Sequence, residues 1–440
     1  MHGTEAQKGV DERLYDVGEL TRVEGEGSLR LRVRNGKVLE ARFGIFETPR
    51  YFEQLVVGRT PDEVIDIVAR ICGICPVAYQ MSAVHGFEDL FGVRIDPAVR
   101  ALRRLLYCGE WIESHALHVY LLHAPDFLGY ESAIAMAADH RPLVEQALRM
   151  KKAGNQLIRI LGGRSIHPVS VRVGGFSRVP KRRELEDHRA AMAAGLELAQ
   201  ATVRLTAGLP MPAFTREPRV VSLRHAAEYP FNDGRIVSSD GIDLAPSEWR
   251  SAFEEHQVEG TNALHARTLD GKGAYLVGPA ARVVLAAGQL HPLAKEALEE
   301  SGQSDLIRTN IYASIVARSV ELVHAFAEAL DIIDAYRPPT DPLVPWTSRP
   351  GVAAWATEAP RGLLFHRYEV DEMGRIRAAQ IVPPTSQNQA AIEKDLITAA
   401  AGVLDLPHAE ATVRLEQMIR SYDPCISCAT HFLDLRIDEA

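Results

Sequence analysis

Leu29, Leu31 and Val33 alternate with Arg30, Arg32 and Arg34, and Asn35-Gly36 follows. Alternation of period two running into Asn-Gly predicts a half-buried strand entering a hairpin. The return strand then runs through Val38 to Phe46. At Thr60-Pro61-Asp62-Glu63 the pattern changes to a helix start, with Thr60 as cap, Pro61 in the first turn and Glu63 closing a capping box. Val64, Ile65 and Val68 give that helix a buried face, and it runs straight at Cys72.

Beyond Cys72 the periodicity is mainly helical. Asp96-Pro97 opens a pattern through Leu102, Leu105, Leu106 and Ile112 that reaches about His123. Further helices are expected over 137–162, 183–208, 307–337, 390–402 and 408–420. A second β signal comes late, where Leu363 to Val370 and Ile376 to Val382 flank a turn at Asp371–Gly374. No repeat, low-complexity tract or linker breaks the chain. The expected fold class is mainly α with small β elements (α+β). It is one intertwined helical body over 1–440, β-rich at about 15–58 and helical at about 60–345.

Composition narrows the function more than the fold. The 440 residues are 46% hydrophobic and 24% charged, ordinary for a folded chain, and length alone gives a soft prior of two to four domains. A net charge of −9 argues against a nucleic-acid binder, which normally shows a basic stripe. No run approaches the ~20 apolar residues that span a bilayer. The opening residues, Met1-His-Gly-Thr-Glu-Ala-Gln-Lys8, lack the apolar core of a secretory signal. A cytoplasmic location is therefore expected, unless an exported partner carries the signal for both chains.

Five cysteines, an odd number in a long chain, speak against a disulfide framework. Four form two Cys-x-x-Cys pairs, Cys72/Cys75 and Cys425/Cys428, and Cys108 stands alone. Cysteines at i and i+3 are neighbours where the backbone is helical or turning, so both thiolates reach one metal. Soft thiolates select zinc, copper(I), iron–sulfur or nickel–iron sites. Structural zinc normally spaces its pairs by ~15–20 residues, whereas about 350 separate these. A redox dithiol wants a βαβ pattern, and none is evident. Spacing alone leaves structural zinc and a catalytic metal equally weighted, with chance behind them.

The flanking residues break the tie. Arg70-Ile-Cys-Gly-Ile-Cys-Pro76 and Asp423-Pro-Cys-Ile-Ser-Cys-Ala-Thr-His431 resemble the two signature motifs of nickel–iron hydrogenase large subunits. Intermediate segments resemble the same family in order: Leu20-Thr-Arg-Val-Glu-Gly25, Ser114-His-Ala-Leu-His118, Gly162-Gly-Arg-Ser-Ile-His-Pro168, Tyr275-Leu-Val-Gly-Pro279, Glu358-Ala-Pro-Arg-Gly362 and Val382-Pro-Pro-Thr385. The resemblance runs from about residue 20 to the end, and it makes 358–431 the C-terminal metal-site part.

The resemblance implies a catalytic subunit that splits dihydrogen reversibly and heterolytically at a nickel–iron centre whose iron carries carbon monoxide and cyanide. Cys72 and Cys425 would bind nickel alone, while Cys75 and Cys428 would bridge to iron. Glu24 would be the first proton carrier, beside Cys425; on composition alone a structural pairing with an arginine such as Arg22 is favoured. Arg361 would donate to a cyanide, held by Asp423, with Pro383 and Thr385 lining the same canopy. Glu53 and His431 match residues around a buried magnesium, with the Gln380 carbonyl as third protein ligand; a plainly exposed Glu53 competes with that reading.

Three departures stand out: Glu26, Tyr79 and Ser114 occupy positions where relatives often carry His, His and Asp. Tyr79 and the Cys75-Pro-Val77 sequence look most like the cytoplasmic nucleotide- or deazaflavin-linked branches. His115, His118 and His123 are read as packing or interface residues, His167 as facing the partner's nearest cluster, and Cys108 as a buried apolar residue. One remaining cysteine cannot hold an iron–sulfur cluster, and no Gly-x-Gly-x-x-Gly appears. The implied partners are a small iron–sulfur subunit, possible NAD(P)- or flavin-binding electron-transfer subunits, and a maturation endopeptidase that cuts after His431 and removes 432–440. The competing readings are a quinone-site subunit that keeps the fold without the chemistry, and a zinc-stabilised scaffold.

Overall fold

A computed structural model describes residues 12–430. Near the N-terminus, strands Glu12–Val17, Gly27–Arg34 and Lys37–Ile45 form an antiparallel meander. Asn35 and Gly36 make its tight turn with φ of 50° and 71°, as the Asn-Gly signal requires. Leu29, Leu31 and Val33 face inward. The helix Pro61–Val68 starts with the expected capping box, Thr60 and Glu63 each bonding the other's backbone N–H.

The helical body is built on Pro97–Leu117, Ala133–Gly162, Arg182–Ala207 and Ser314–Ala335, packed side against side. Two of these helices touch backbone to backbone at Gly109 and Gly154. A Cβ on Gly154 would stand 2.6 Å from the Gly109 carbonyl, so no larger residue fits the crossing. One continuous apolar core runs from Leu20 to Ala429.

Several expectations need correction. β structure is not confined to the two ends. Strands Val221–Arg224, Arg235–Ser238 and Asp243–Leu244 form a mid-chain sheet, and Phe253–Gln257 pairs with Leu264–Thr268. These strands are two to five residues long, too short for alternation to show. The late hairpin gains a third strand, Gly351–Ala359, beside Gly362–Val370 and Ile376–Val382. The helix expected over 307–337 is broken at Asn310, whose side chain leaves the helix to cap the Tyr312 N–H. The segment ending at His123 leaves the α pattern at His118 and finishes as a π-helix, His118–His123.

Candidate metal centre

Each cysteine pair sits on a turn beside a helix. Cys72 follows the helix Pro61–Val68, and Cys75 immediately precedes Pro76–Phe91, whose Pro76 opens the first turn. Cys425 follows His408–Tyr422, where Asp423 reverses the chain in a left-handed conformation with φ of 55°. Cys428 lies in the short turn Ser427–Ala429. The chain ends meet at a bridge between Glu24 and Cys425, with Ile426 N donating to Glu24 O at 2.9 Å. This contact joins residues about 400 positions apart and brings both pairs to one place.

All four sulfurs are buried and lie within 4.8 Å of one another. Cys72 Sγ is 2.7 Å from Cys75 Sγ and 3.6 Å from Cys425 Sγ, and Cys75 Sγ is 4.0 Å from Cys428 Sγ. The Cys425 and Cys428 sulfurs are in direct contact. Among the described residues no other group of three or more His, Cys, Asp or Glu side chains is arranged to hold a metal. Burial alone raises the Cys72 thiol. Hydrogen bonds from Cys75 and the charge of Arg361 outweigh that burial and hold it below its ordinary value, while Cys75 is driven up by burial and by Cys72.

The other expected residues surround the sulfurs. Glu24 Oε2 accepts from Cys425 Sγ and from Ser427 N, each at 3.1 Å. Arg22 does not pair with Glu24 but with Asp126, at 2.5 Å. Arg361 donates from Nε to Asp423 O at 2.8 Å and from Nη2 to Asp423 Oδ1 at 3.1 Å. Its Nη1 is buried with no protein acceptor. Burial opposes the Arg361 charge, but Asp423 and the Cys75 and Cys72 sulfurs hold it firmly protonated. Thr385 Oγ1 accepts the Cys425 N–H at 2.9 Å, and Pro383 caps the helix Pro384–Ala400 on the same side.

The donor set fits a soft metal pair: four converging cysteine sulfurs, with Glu24 as the neighbouring carboxylate, and the Nη1 group of Arg361 left over for a ligand that is not protein. The magnesium residues are less complete. Half-buried Glu53 accepts from Ile381 N at 2.7 Å, which sets it against the strand bearing Gln380. The Gln380 side chain turns to Glu255 at 3.0 Å. Arg50 N donates to Thr430 O at 2.6 Å, and His431 and the segment 432–440 lie outside the described residues.

A family model described as nickel-dependent hydrogenase matches residues 50–145 and 265–431. The chain belongs to that family. Sulfhydrogenase 1 subunit alpha of Pyrococcus furiosus is 33% identical over 434 residues, covering 95% of this chain and 98% of the relative. The NAD-reducing hydrogenase HoxS subunit beta of Cupriavidus necator is 26% identical, covering 95% and 94%. Among solved structures, an NAD+-reducing NiFe-hydrogenase in its dihydrogen-reduced state superposes with a TM-score of 0.85 at 27% identity, over 95% of this chain and 99% of that one. The Ni-Fe-Se hydrogenase of Desulfovibrio vulgaris Hildenborough shares the fold, with a TM-score of 0.77 at 21% identity and coverage of 96% and 100%. The mainly helical class with small sheets is that of the hydrogenase large subunit.

Sequence reasoning passed over several residues of this hydrogenase chain. Arg50 Nη2 donates to Ile71 O at 2.7 Å and also to Ser427 O, tying the two cysteine loops together. Glu110 accepts from Val77 N at 2.6 Å and Ala78 N at 3.2 Å, anchoring the helix that follows Cys75. Burial pushes its carboxyl well above the usual range. No local signal singled out Glu110, since Glu113 is buried on the same helix.

His115, His118 and His123 are all fully buried, so the packing half of their expectation holds and the interface half does not. They bond Glu321 Oε2, Arg420 O and Ser421 Oγ. Cys108 is buried in the core. Tyr79 and Ser114 are buried with hydroxyls that have no protein partner. His167, half-buried with φ of 51°, bonds Ala69 O from Nδ1 at 2.7 Å.

Proposed function

We propose that this chain cleaves dihydrogen heterolytically and reversibly at a nickel–iron centre held by Cys72, Cys75, Cys425 and Cys428. The observation that carries the reading is the convergence of four buried sulfurs from both ends of the chain, with Glu24 on Cys425 and an unpartnered Arg361 donor beside them. A nickel–iron centre bearing carbon monoxide and cyanide supplies a redox-active Lewis acid at which dihydrogen yields protons and electrons.

Everything else is the work of side chains. Cys72 and Cys425 would hold nickel, and Cys75 and Cys428 would hold nickel and iron together. Glu24 Oε2 takes the proton from Cys425 Sγ across 3.1 Å. The next carboxylate outward is half-exposed Glu47, which accepts from Ser427 Oγ at 2.9 Å. Arg361 would offer Nη1 to a cyanide on the iron, while Asp423 fixes the rest of its fork. Thr385 holds the Cys425 backbone, and Pro383 shapes the canopy next to it. Glu53, the Gln380 carbonyl and His431 would hold a magnesium ion.

With one cysteine left over, electrons leave through a partner iron–sulfur subunit. Each of the two named relatives is one subunit of its enzyme. The nucleotide-linked branch fits the NAD-reducing relative, and the reading adds NAD(P)- or flavin-binding subunits beyond the small one and a cytoplasmic complex. Among the described residues no helix is long and apolar enough to cross a membrane. An endopeptidase cut after His431 completes the reading, and the family match ends at that residue.

Metal analysis with infrared spectroscopy tests it. Nickel and iron together, with carbon monoxide and cyanide bands, are the expected result. Zinc alone, or no metal in an active preparation, would sink the proposal.

A further inference from the structure

Arg361 rides on a two-residue turn. Strand Gly351–Ala359 ends, Pro360 and Arg361 form the tip, and strand Gly362–Val370 begins with Ala359 paired to Gly362. The tip is buried, and the Arg361 guanidinium must be held to a fraction of an ångström if Nη1 is to meet a small ligand.

A second arginine grips the turn from below. Arg282, on the helix Pro279–Ala286, donates from Nη1 to Ala359 O at 3.0 Å and from Nη2 to Pro360 O at 2.9 Å. The Pro360 carbonyl belongs to the peptide plane that leads into Arg361, so holding it sets the direction in which the Arg361 side chain departs. Glycine closes the other side: Gly278, with φ of 119°, lies so near that a Cβ would stand 2.8 Å from Arg361 O.

Arg282 is itself immobilised. It makes a bidentate pair with Glu321, both bonds at 2.7 Å, and Nη1 reaches Glu358 Oε2 at 2.9 Å. Its guanidinium lies 4.2 Å from the ring centroid of Trp111. Glu321 is braced by His115 and Tyr229, and Glu358 by Leu223 N. Those bonds use all five N–H groups of Arg282. It has nothing left for a ligand, unlike Arg361.

We infer that Arg282 is a positioning residue for the hydrogenase centre: it clamps the Ala359–Arg361 turn by two carbonyls and so aims the free Nη1 of Arg361. This rests on the reading of Arg361 as the donor to an iron-bound cyanide. A mere buried ion cluster would also show the carboxylate pairs. The two backbone carbonyls are what connect it to the turn.

The test compares Arg282→Lys, Arg361→Lys and the double variant in the complete purified complex, with nickel and iron measured in each. Lysine keeps the charge facing Glu321 and Glu358 but cannot serve two carboxylates and two carbonyls at once. Arg282→Lys is expected to retain both metals, to shift the cyanide infrared bands in the same direction as Arg361→Lys, and to lower turnover by up to roughly 10²-fold, the loss from a displacement near 1 Å. The double variant should lose little more than Arg361→Lys alone, because one change acts through the other.

Unshifted cyanide bands in Arg282→Lys beside shifted ones in Arg361→Lys overturn the inference. Unshifted bands in Arg361→Lys instead overturn the reading beneath it. If Arg282→Lys does not load metal, Glu321→Gln loosens the same clamp and should give a smaller shift of the same sign. Wild-type bands and turnover in a metal-loaded Glu321→Gln enzyme would equally refute the clamp.

Discussion

The ground beneath the sulfurs and the outer helix pair solve the problem of charge in opposite ways. Beneath the sulfurs, Arg282, Arg318, Arg361 and Arg420 are almost wholly inaccessible, each held by carboxylates or backbone carbonyls. On Ala133–Gly162 and Arg182–Ala207 most charges stand in water, as in Arg141–Glu145 and in Arg189, which reaches Asp334 on Ser314–Ala335, and the inner faces carry Met150, Leu157, Met192 and Ala199. Burying paired charge is poor economy for stability, since well-packed apolar residues often do as well. Beneath the sulfurs the buried guanidiniums are aimed by the backbone carbonyls and carboxylates that hold them, and there orientation matters more than adhesion.

The largest effect that would break this contrast is at the thiolates. Cys428→Ser replaces the thiolate proposed as a bridge by a hydroxyl, a poor ligand for soft metals. Nickel and iron content and hydrogen turnover should fall to background. A folded Cys428→Ser protein with full metal and activity would remove the functional side of the comparison.

Next comes Glu24→Gln, which keeps the shape beside Cys425 and removes the base. General acid–base groups are worth roughly 10²–10⁴-fold, so isotope exchange and turnover should drop by that order while the infrared bands persist. Exchange at the parental rate would move the proton route elsewhere.

How far the sequence foretold these two regions depends on how local each signal is. Thr60 to Glu63, Asn35-Gly36 and the Cys-x-x-Cys pairs carry their geometry within four residues, and all could be read directly. Glu24 was ambiguous from its neighbours, and family resemblance, not periodicity, put it beside Cys425 rather than Arg22. Arg50, Glu110 and Arg282 were not legible, because their partners lie 21 to 377 positions away and a lone arginine or glutamate says nothing about which carbonyl or amide it meets. The mid-chain strands failed for the opposite reason: they are local but too short to repeat.

Below catalysis, the contrast predicts stability. Asp126, 1% exposed, faces both Arg22 and Arg420, and Asp126→Asn leaves two guanidiniums confronting each other. Breaking such a buried pair typically costs about 3–5 kcal/mol. A denaturation midpoint close to the parent's would show that these pairs are less desolvated than their burial implies.

An intermediate case is Glu393, whose carboxyl is pushed up to about 7 mainly by burial, against the hydrogen bond from Phe43 N. The folded state therefore keeps its proton where the unfolded chain, near 4.5, has lost it. Stability falls as pH rises from about 4.5 to about 7 and levels off above that. Glu393→Gln removes this dependence while keeping an acceptor for Phe43 N. Relative to the parent it should gain about 1–3 kcal/mol at pH 8 and almost nothing at pH 4. An equal gain at both pH values would mean that packing, not ionisation, is responsible.

The smallest effect is the most discriminating. Arg189 and Asp334 make two bonds, at 2.6 and 2.7 Å, geometry as good as any pair beneath the sulfurs. Their side chains are 47% and 51% exposed, however, so water competes for both partners and salt screens them. If distance decided strength, this pair would rival Arg420–Asp126 at 2.8 Å. If burial decides, a double-mutant cycle on Arg189→Ala and Asp334→Ala should give a coupling of only about 0.2–1 kcal/mol. That coupling should shrink further as salt is raised, while the Asp126→Asn penalty hardly changes. A salt-insensitive coupling of several kcal/mol at Arg189–Asp334 would erase the distinction between the two regions, because an exposed pair would then be held by charge as firmly as the buried ones beneath the sulfurs.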